Sequence, residues 1–268
     1  MRLFVISLLL CTFAGLAACG GGSSDPVPGS LSGNWEITLQ RHAHPEPFVF
    51  SGFLLQSGPS ITGGVILGGG CDGVGSVAGS LDGQNLSLTI DEFGQDISLT
   101  ATMPPGGPSE STFLGGAFSS LAGACADYDS TGTWSAVRVT APSGTFHGTL
   151  TGISAGGTDM FDVTGTLAQG PNTGSSNAML NGSITSTGAP HFCPYLTSAT
   201  LTGLISGTSV KLSLVDSTGA QIAQFTPASI TPDGTSLTCQ AGATSCYVFQ
   251  PLSNACPGET GTVQLSFP

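Results

Sequence analysis

Apolar and polar residues alternate along short segments of this chain, and turn residues separate the segments. Apolar residues occupy every second position in 35–39, and the same period of two returns in 86–90. This period predicts half-buried β-strands, because successive side chains of a strand point to opposite faces of a sheet. No segment combines helical periodicity with capping residues, so the pattern predicts an all-β protein.

One stretch of the pattern occurs twice. Ser-Gly, one residue, an aromatic residue, two residues and Thr-Leu form both 32–39 and 143–150. Further along the chain, Ser-Gly-Phe-Leu at 51–54 is echoed by Thr-Gly-Thr-Leu at 164–167. The repeat predicts two tandem antiparallel β domains of about eight strands each, at residues 31–140 and 141–268.

The predicted strands are short, sequential and joined mainly by tight turns. Such an order favours an up-and-down β-barrel, with a β-sandwich as the second interpretation. A barrel also removes sheet edges, which a chain with so few lysines would leave unprotected. Gly33-x-Trp35 before an alternating strand resembles the first strand of lipocalin and avidin-like barrels. The resemblance implies a closed barrel in which this aromatic residue closes one end of the interior.

The amino terminus predicts export. Residues 1–18 combine a basic start with a short apolar run, as a secretory signal peptide does. Leu16-Ala17-Ala18-Cys19 resembles the lipobox of bacterial lipoproteins. The resemblance implies cleavage before Cys19 and attachment of acyl chains, such as palmitate, to that residue. The alternative is an ordinary signal peptide that is cut elsewhere, with Cys19 as a spare thiol.

Residues 19–30 are rich in glycine, serine and proline and are predicted to form a flexible tether. Several acyl chains would anchor the protein firmly, because each buried methylene contributes about 0.8 kcal/mol. Gly20 stands where lipoproteins retained in the inner membrane carry an aspartate. The resemblance therefore implies an anchor in the outer membrane.

Six cysteines remain once Cys11 is removed with the signal and Cys19 is acylated. An even number in an exported protein predicts disulfides. Correspondence between the two repeats gives the pairs, which are Cys71 with Cys125, Cys193 with Cys256, and Cys239 with Cys246. The competing interpretation is a zinc site at Cys239 and Cys246, although zinc thiolate sites favour tighter spacing.

Composition restricts the partners. The chain has 4 Lys+Arg against 16 Asp+Glu, for a formal net charge of −12. Such a surface repels polyanions, so nucleic acid is excluded as a partner. The hydrophobic content of 39% indicates a packed core rather than a disordered chain.

Two clusters have the composition of metal sites. His42, His44 and Glu46 fall at alternate positions and would project to one side of an extended chain. Asp127 and Asp129 begin a sequence typical of a calcium loop, but the expected glutamate is replaced by an arginine. Neighbouring prolines in the first cluster and turn residues in the second favour solvated loops, with no bound metal.

The sequence favours no enzyme and no cofactor site. Its histidines do not stand in the context of a catalytic triad, and its glycine-rich segment 68–79 is not followed by a lysine and a helix, as a phosphate-binding loop would be. Asp91-Glu92 and Asp96 are candidate paired acids, but their turn context favours solvent exposure. We therefore expect a non-enzymatic envelope lipoprotein that binds a small apolar ligand or a glycan. The alternative is a structural or protein-interaction module with solid β cores, whose partner is another envelope protein.

Overall fold

The computed structural model describes most of the chain after residue 28. The described residues are 29–42, 46–68, 73–92, 94–105, 107, 113–120, 130–154, 157–171, 175–186, 198–249 and 258–268. Their regular structure consists of β-strands. Among these residues, no helix has the length and apolarity needed to cross a membrane.

The first eight strands form a closed antiparallel barrel, called barrel 1. Each strand pairs with the next one in sequence, and β8 returns to pair with β1. The strands are β1 (Gly33–Arg41), β2 (Phe48–Ser57), β3 (Ser60–Gly68), β4 (Gly73–Asp82), β5 (Asn85–Glu92), β6 (Gln95–Thr102), β7 (Phe113–Ser120) and β8 (Ser130–Val139).

The remaining strands form a second closed barrel, called barrel 2. Sequential pairing runs from β9 to β14, and β17 closes the ring by pairing with β9. The strands are β9 (Ser143–Ser154), β10 (Gly157–Gln169), β11 (Ala178–Ser186), β12 (Ala199–Ser206), β13 (Ser209–Val215), β14 (Gln221–Ile230), β15 (Ser236–Cys239), β16 (Tyr247–Phe249) and β17 (Glu259–Ser266).

Two short strands share one position in barrel 2. Both β15 and β16 pair with β14 on one side and with β17 on the other. They are therefore two halves of one strand, interrupted at residues 240–246. Counted by position, barrel 2 has eight strands like barrel 1, which confirms the predicted all-β fold with two tandem eight-stranded antiparallel barrels.

The repeated stretches of the sequence are partners in the structure. Trp35 of β1 lies opposite Gly52 of β2, and Phe146 of β9 lies opposite Gly165 of β10. A Cβ atom on Gly165 would lie 2.6 Å from the Phe146 ring. The glycine is needed because any larger residue would collide with the aromatic ring that it faces.

Each barrel has two ends, which are named here by the first strand. The front rim is the end at which that strand begins, at Gly33 or Ser143, and the back rim is the end at which it finishes, at Arg41 or Ser154. Apolar side chains fill the space between the rims. Trp35, Phe50 and Trp134 belong to the core of barrel 1, and most of its members are less than 4% exposed.

Candidate functional site

Two of the residues predicted as metal ligands lie at the back rim of barrel 1. His42 and Glu46 are both exposed there, and His44 lies outside the described residues. The backbone amide of His42 donates to the carbonyl of Thr131 at 3.1 Å, which continues the pairing of β1 with β8. Within the described ranges, no group of three His, Cys, Asp or Glu residues has metal-site geometry.

The candidate acids face solvent. Asp91 of β5 lies directly opposite Asp96 of β6, and both are exposed. Like charges at directly opposite positions of a sheet repel each other, so this pair does not stabilise the hairpin. Asp127 and Asp129, the candidate calcium ligands, lie outside the described residues, as does Cys19.

One predicted disulfide is present among the described residues. Cys239 and Cys246 are bonded, with a distance of 5.2 Å between their Cα atoms. The bond joins the end of β15 to the residue before β16. It therefore closes the loop that separates these two halves of one strand. It also rules out the alternative of a zinc site at these two thiols.

The other four cysteines lie outside the described residues, and their pairing stays a prediction. The strands that flank Cys71 and Cys125 end at the back rim of barrel 1. The strands that flank Cys193 and Cys256 end at the back rim of barrel 2. Each predicted pair therefore comes from connections at one end of one barrel.

Both tryptophans of barrel 1 are fixed inside it by hydrogen bonds. Trp35 donates through Nε1 to the carbonyl of Leu31 at 2.8 Å, and Trp134 donates to the carbonyl of Thr100 at 2.9 Å. Both side chains are at most 3% exposed. An indole that is buried with its N–H satisfied is part of the core, so these rings occupy space that a ligand in the interior would need.

The interior of barrel 2 contains one buried polar pair near its back rim. The hydroxyl of Tyr247 donates to Oε1 of Glu259 at 2.8 Å, and both residues are buried. Burial, followed by the charge of Glu259, raises the pKa of Tyr247 above its ordinary value. The phenol therefore stays protonated and remains a hydrogen-bond donor to the carboxylate.

The two barrels are joined through the outer wall of barrel 1. Phe53 faces away from the interior of its own barrel, yet it is 0% exposed and belongs to the hydrophobic cluster of barrel 2. Gly64 on the next strand allows the close approach, because a Cβ atom there would lie 2.7 Å from the backbone nitrogen of Ser176. Barrel 1 thus supplies a core residue to barrel 2.

Hydrogen bonds surround this apolar contact. Asn34 donates to the carbonyl of Gly207 at 2.7 Å, and the amide of Gly207 donates back to Oδ1 of Asn34 at 2.5 Å. The hydroxyl of Ser206 lies 2.8 Å from the carbonyl of Ser51, and Thr208 donates to the carboxylate of Glu36. The wall of β1 and β2 therefore holds the turn between β12 and β13.

An open groove lies on the opposite side of barrel 1, on its outer wall near the front rim. Pairing between β6 and β7 stops at Ala101 and Gly116, whereas β7 continues to pair with β8 as far as Phe113. The gap opens a depression of about 590 Å³. Its described lining consists of Asn85, Leu86, Ser87, Thr100, Ala101, Thr102, Gly115 and Gly116.

The groove is uncharged and mixes polar with apolar surface. None of these eight described lining residues carries a charge, and the side chains of Asn85, Ser87, Thr100 and Thr102 are exposed. Hydroxyl and amide groups both donate and accept hydrogen bonds. Such a surface suits an uncharged ligand with many hydroxyl groups.

Two of these features were not predicted from the sequence. The groove depends on where one strand pairing ends, which no local pattern encodes. Phe53 did leave a signal, since it is followed by Leu54 and two adjacent apolar residues in a strand must face opposite sides. The corresponding residue of the second repeat is Thr166, so comparison of the two copies identifies Phe53 as an outward apolar residue.

No protein-family model matches this chain, and a comparison with curated proteins gave no match either. The resemblance of 33–35 to lipocalin and avidin-like barrels therefore has no support from family comparison. The closed eight-stranded architecture is what the chain shares with such barrels.

Proposed function

We propose that this chain is a non-enzymatic lipoprotein of the bacterial cell envelope, anchored in the outer membrane through acylated Cys19. The lipobox-like sequence at 16–19 and the tether that follows it support this proposal. The net charge of −12 argues against nucleic acid as a partner. The bilayer holds the anchor, and the two barrels form the part that contacts other molecules.

The packed interior of barrel 1 is the observation that favours ligand binding at the outer surface over binding inside the barrel. A ligand inside barrel 1 would have to displace Trp35 or Trp134 and break the hydrogen bond that each indole makes. That cost disfavours an apolar ligand carried in the lumen. Binding at the outer surface has no such cost, and the neutral groove between β5 and β7 supports an uncharged glycan as the ligand.

Titration of the purified protein with uncharged oligosaccharides, followed by calorimetry, tests this function. We expect Ser87→Trp to abolish the binding, because Ser87 is exposed and lines the groove. Thr164→Trp is the matched control, since Thr164 is exposed on the outer wall of barrel 2. The proposal fails if no oligosaccharide binds, or if both variants bind as the parent does.

A protein-interaction module is the second candidate, and a specific observation favours it. Ile153 of β9 and Met160 of β10 are 58% and 71% exposed. They are diagonal neighbours, because Met160 lies opposite Thr151. Large apolar side chains exposed side by side favour contact with another protein. Replacing both by serine would abolish cross-linking to that protein in the native envelope, whereas Ser87→Trp would leave it unchanged.

A further inference from the structure

The chain enters barrel 1 at a fixed point on its front rim. Leu31, directly after the predicted tether, is 0% exposed and belongs to the core of the barrel. Its amide donates to Oε1 of Gln56 at 2.8 Å, and its carbonyl accepts the Trp35 indole at the same distance. The backbone at this residue is therefore fixed to the barrel.

Further contacts fix the neighbouring residues. Arg138 is buried over the Trp35 ring, with 4.9 Å between its guanidinium carbon and the ring centroid, and it donates to the carbonyl of Ser30. The amide of Gln56 donates to the hydroxyl of Ser32 at 2.8 Å. The predicted tether is thus fixed to the barrel from Ser30 onward, at the front rim.

The length of the tether limits how far this rim can lie from the anchor. Ten residues separate Cys19 from Gly29. Fully extended, they span at most about 35 Å, and as a flexible coil they span roughly 18 Å. A strand of 9 residues such as β1 rises about 30 Å, and tilt reduces the height of the barrel to roughly 20–25 Å. When the front rim faces the anchor, the back rim lies farther from the membrane by the height of the barrel. This height is comparable to the span of the tether.

Acidic residues are distributed unequally between the two rims. Asp82 is the exposed acid at the front rim among the described residues, whereas Glu46, Asp91 and Asp96 are exposed at the back rim. By sequence, Asp72, Asp127 and Asp129 also fall in connections between strands that end at the back rim, and Glu110 falls in one at the front rim. A negative membrane surface would repel the back rim more strongly than the front rim.

We propose that the front rim of barrel 1 faces the lipid surface and that its acidic back rim faces away from it. The occupant of this surface is the bilayer in which the acylated Cys19 is inserted, so the inference rests on the proposed lipid anchor. The fixed end of the tether and the position of the acids favour the same orientation. The back rim of barrel 1, with its predicted Cys71 to Cys125 crosslink, is then open to the surrounding compartment.

Energy transfer to the membrane surface tests this orientation. The lipidated full-length protein is placed in vesicles of phosphatidylcholine and the anionic lipid phosphatidylglycerol that contain a lipid-linked acceptor dye. A donor dye is attached through an azide-bearing residue, either at Gln84 on the front rim or at Asp96 on the back rim, both of which are exposed. We expect transfer from position 84 to be at least about twofold stronger, given a height difference of 20 Å or more between the rims.

Cys19→Ser separates the two proposals. If the anchor is correct, this variant leaves the vesicles and neither donor shows transfer. Binding of the parent to vesicles with equal transfer from both positions, or with stronger transfer from position 96, would overturn the orientation and leave the anchor intact. A parent protein that does not bind, or a Cys19→Ser variant that stays bound, would overturn the anchor and the orientation together.

Discussion

Equivalent positions on the outer walls of the two barrels are buried in one barrel and exposed in the other. Asn34 and Phe53 lie directly opposite each other on barrel 1, and both are buried against barrel 2. Their counterparts on barrel 2, Thr145 and Thr166, are also directly opposite each other, and both are exposed. The backbone register is the same, so the side chains alone decide which wall is an interface. One copy of the repeat docks a neighbour, and the other presents hydroxyl groups to solvent.

The front rims show the same principle. In barrel 1 the guanidinium of Arg138 covers the ring of Trp35. In barrel 2 the equivalent contact joins Phe146 and Phe267, whose ring centroids are 5.7 Å apart. The rim that receives the polar chain end at Ser30 is closed by a cation, and the rim that abuts barrel 1 is closed by aromatic rings. Duplication preserved the position of the closing pair, and its chemistry follows the surroundings.

The largest expected effect comes from Phe53→Ala. Removing a phenylalanine that is 0% exposed costs about 3–5 kcal/mol, because the core of barrel 2 loses an apolar group and gains a cavity. Denaturant unfolding measures the change in the free energy of unfolding. The matched control is Thr166→Ala at the equivalent exposed position, which should change it by less than about 0.5 kcal/mol. Equal losses in the two variants would contradict the one-sided interface.

The disulfide of barrel 2 gives the next effect. Its partner position in barrel 1 is β7, which is continuous, whereas Cys239 and Cys246 bridge the two halves of an interrupted strand. Changing both cysteines to serine should lower the free energy of unfolding by about 2.5 kcal/mol, because a short loop of the unfolded chain is no longer closed. Ser119→Ala on β7 is the control and should be nearly neutral. A double variant as stable as the parent would show that β14 and β17 hold both halves without the crosslink.

A smaller loss is expected for Asn34→Ala. The substitution removes both hydrogen bonds to Gly207 and leaves its buried amide and carbonyl without the side-chain partner. Unfolding measurements should show a loss of about 2 kcal/mol. The same change at Thr145, the exposed counterpart, should have almost no effect. The account of the interface is wrong if the two alanine variants cannot be distinguished.

The smallest effect concerns a turn of barrel 2. Asp216 accepts hydrogen bonds from the hydroxyl and the amide of Thr218, and the hydroxyl bond is the main cause that lowers the pKa of this carboxyl from 3.8. A lowered pKa in the folded state stabilises the fold above pH 3.8, and this contribution is lost as the pH falls below that value. Asp216→Ala should therefore be less stable than the parent at pH 7, and the difference should shrink at pH 3. A difference independent of pH would contradict this role.

The sequence was sufficient for the strands, the duplication and the class of fold. Alternation with period two is a local property, and the paired motifs around Trp35 and Phe146 each place an aromatic residue opposite a glycine. The disulfide between Cys239 and Cys246 could also be predicted, because the two residues are close in sequence. These features depend on neighbours along the chain or on the comparison of two copies.

The interface and the groove could not be predicted in the same way. The contact of Phe53 with barrel 2 depends on how two complete barrels meet, and no residue near it in sequence determines that arrangement. The groove depends on the end of one strand pairing at Ala101 and Gly116. The apolar ligand or glycan stays a prediction, because ligand choice depends on the packing of the interior, where Trp35 and Trp134 are buried. His42 and Glu46 of the metal candidate are exposed at the back rim, and its third residue, His44, lies outside the described residues.

Hydrogen exchange of the full-length Phe53→Ala variant tests the central claim most directly, which is that barrel 1 completes the core of barrel 2. Peptides from β12 and β13, which flank the turn held by the wall of barrel 1, should exchange faster than in the parent. Peptides from β5 and β6, on the other side of barrel 1, should be unchanged, as should all peptides of Thr166→Ala. Faster exchange confined to the strands of barrel 1, or no change in β12 and β13, would contradict the claim.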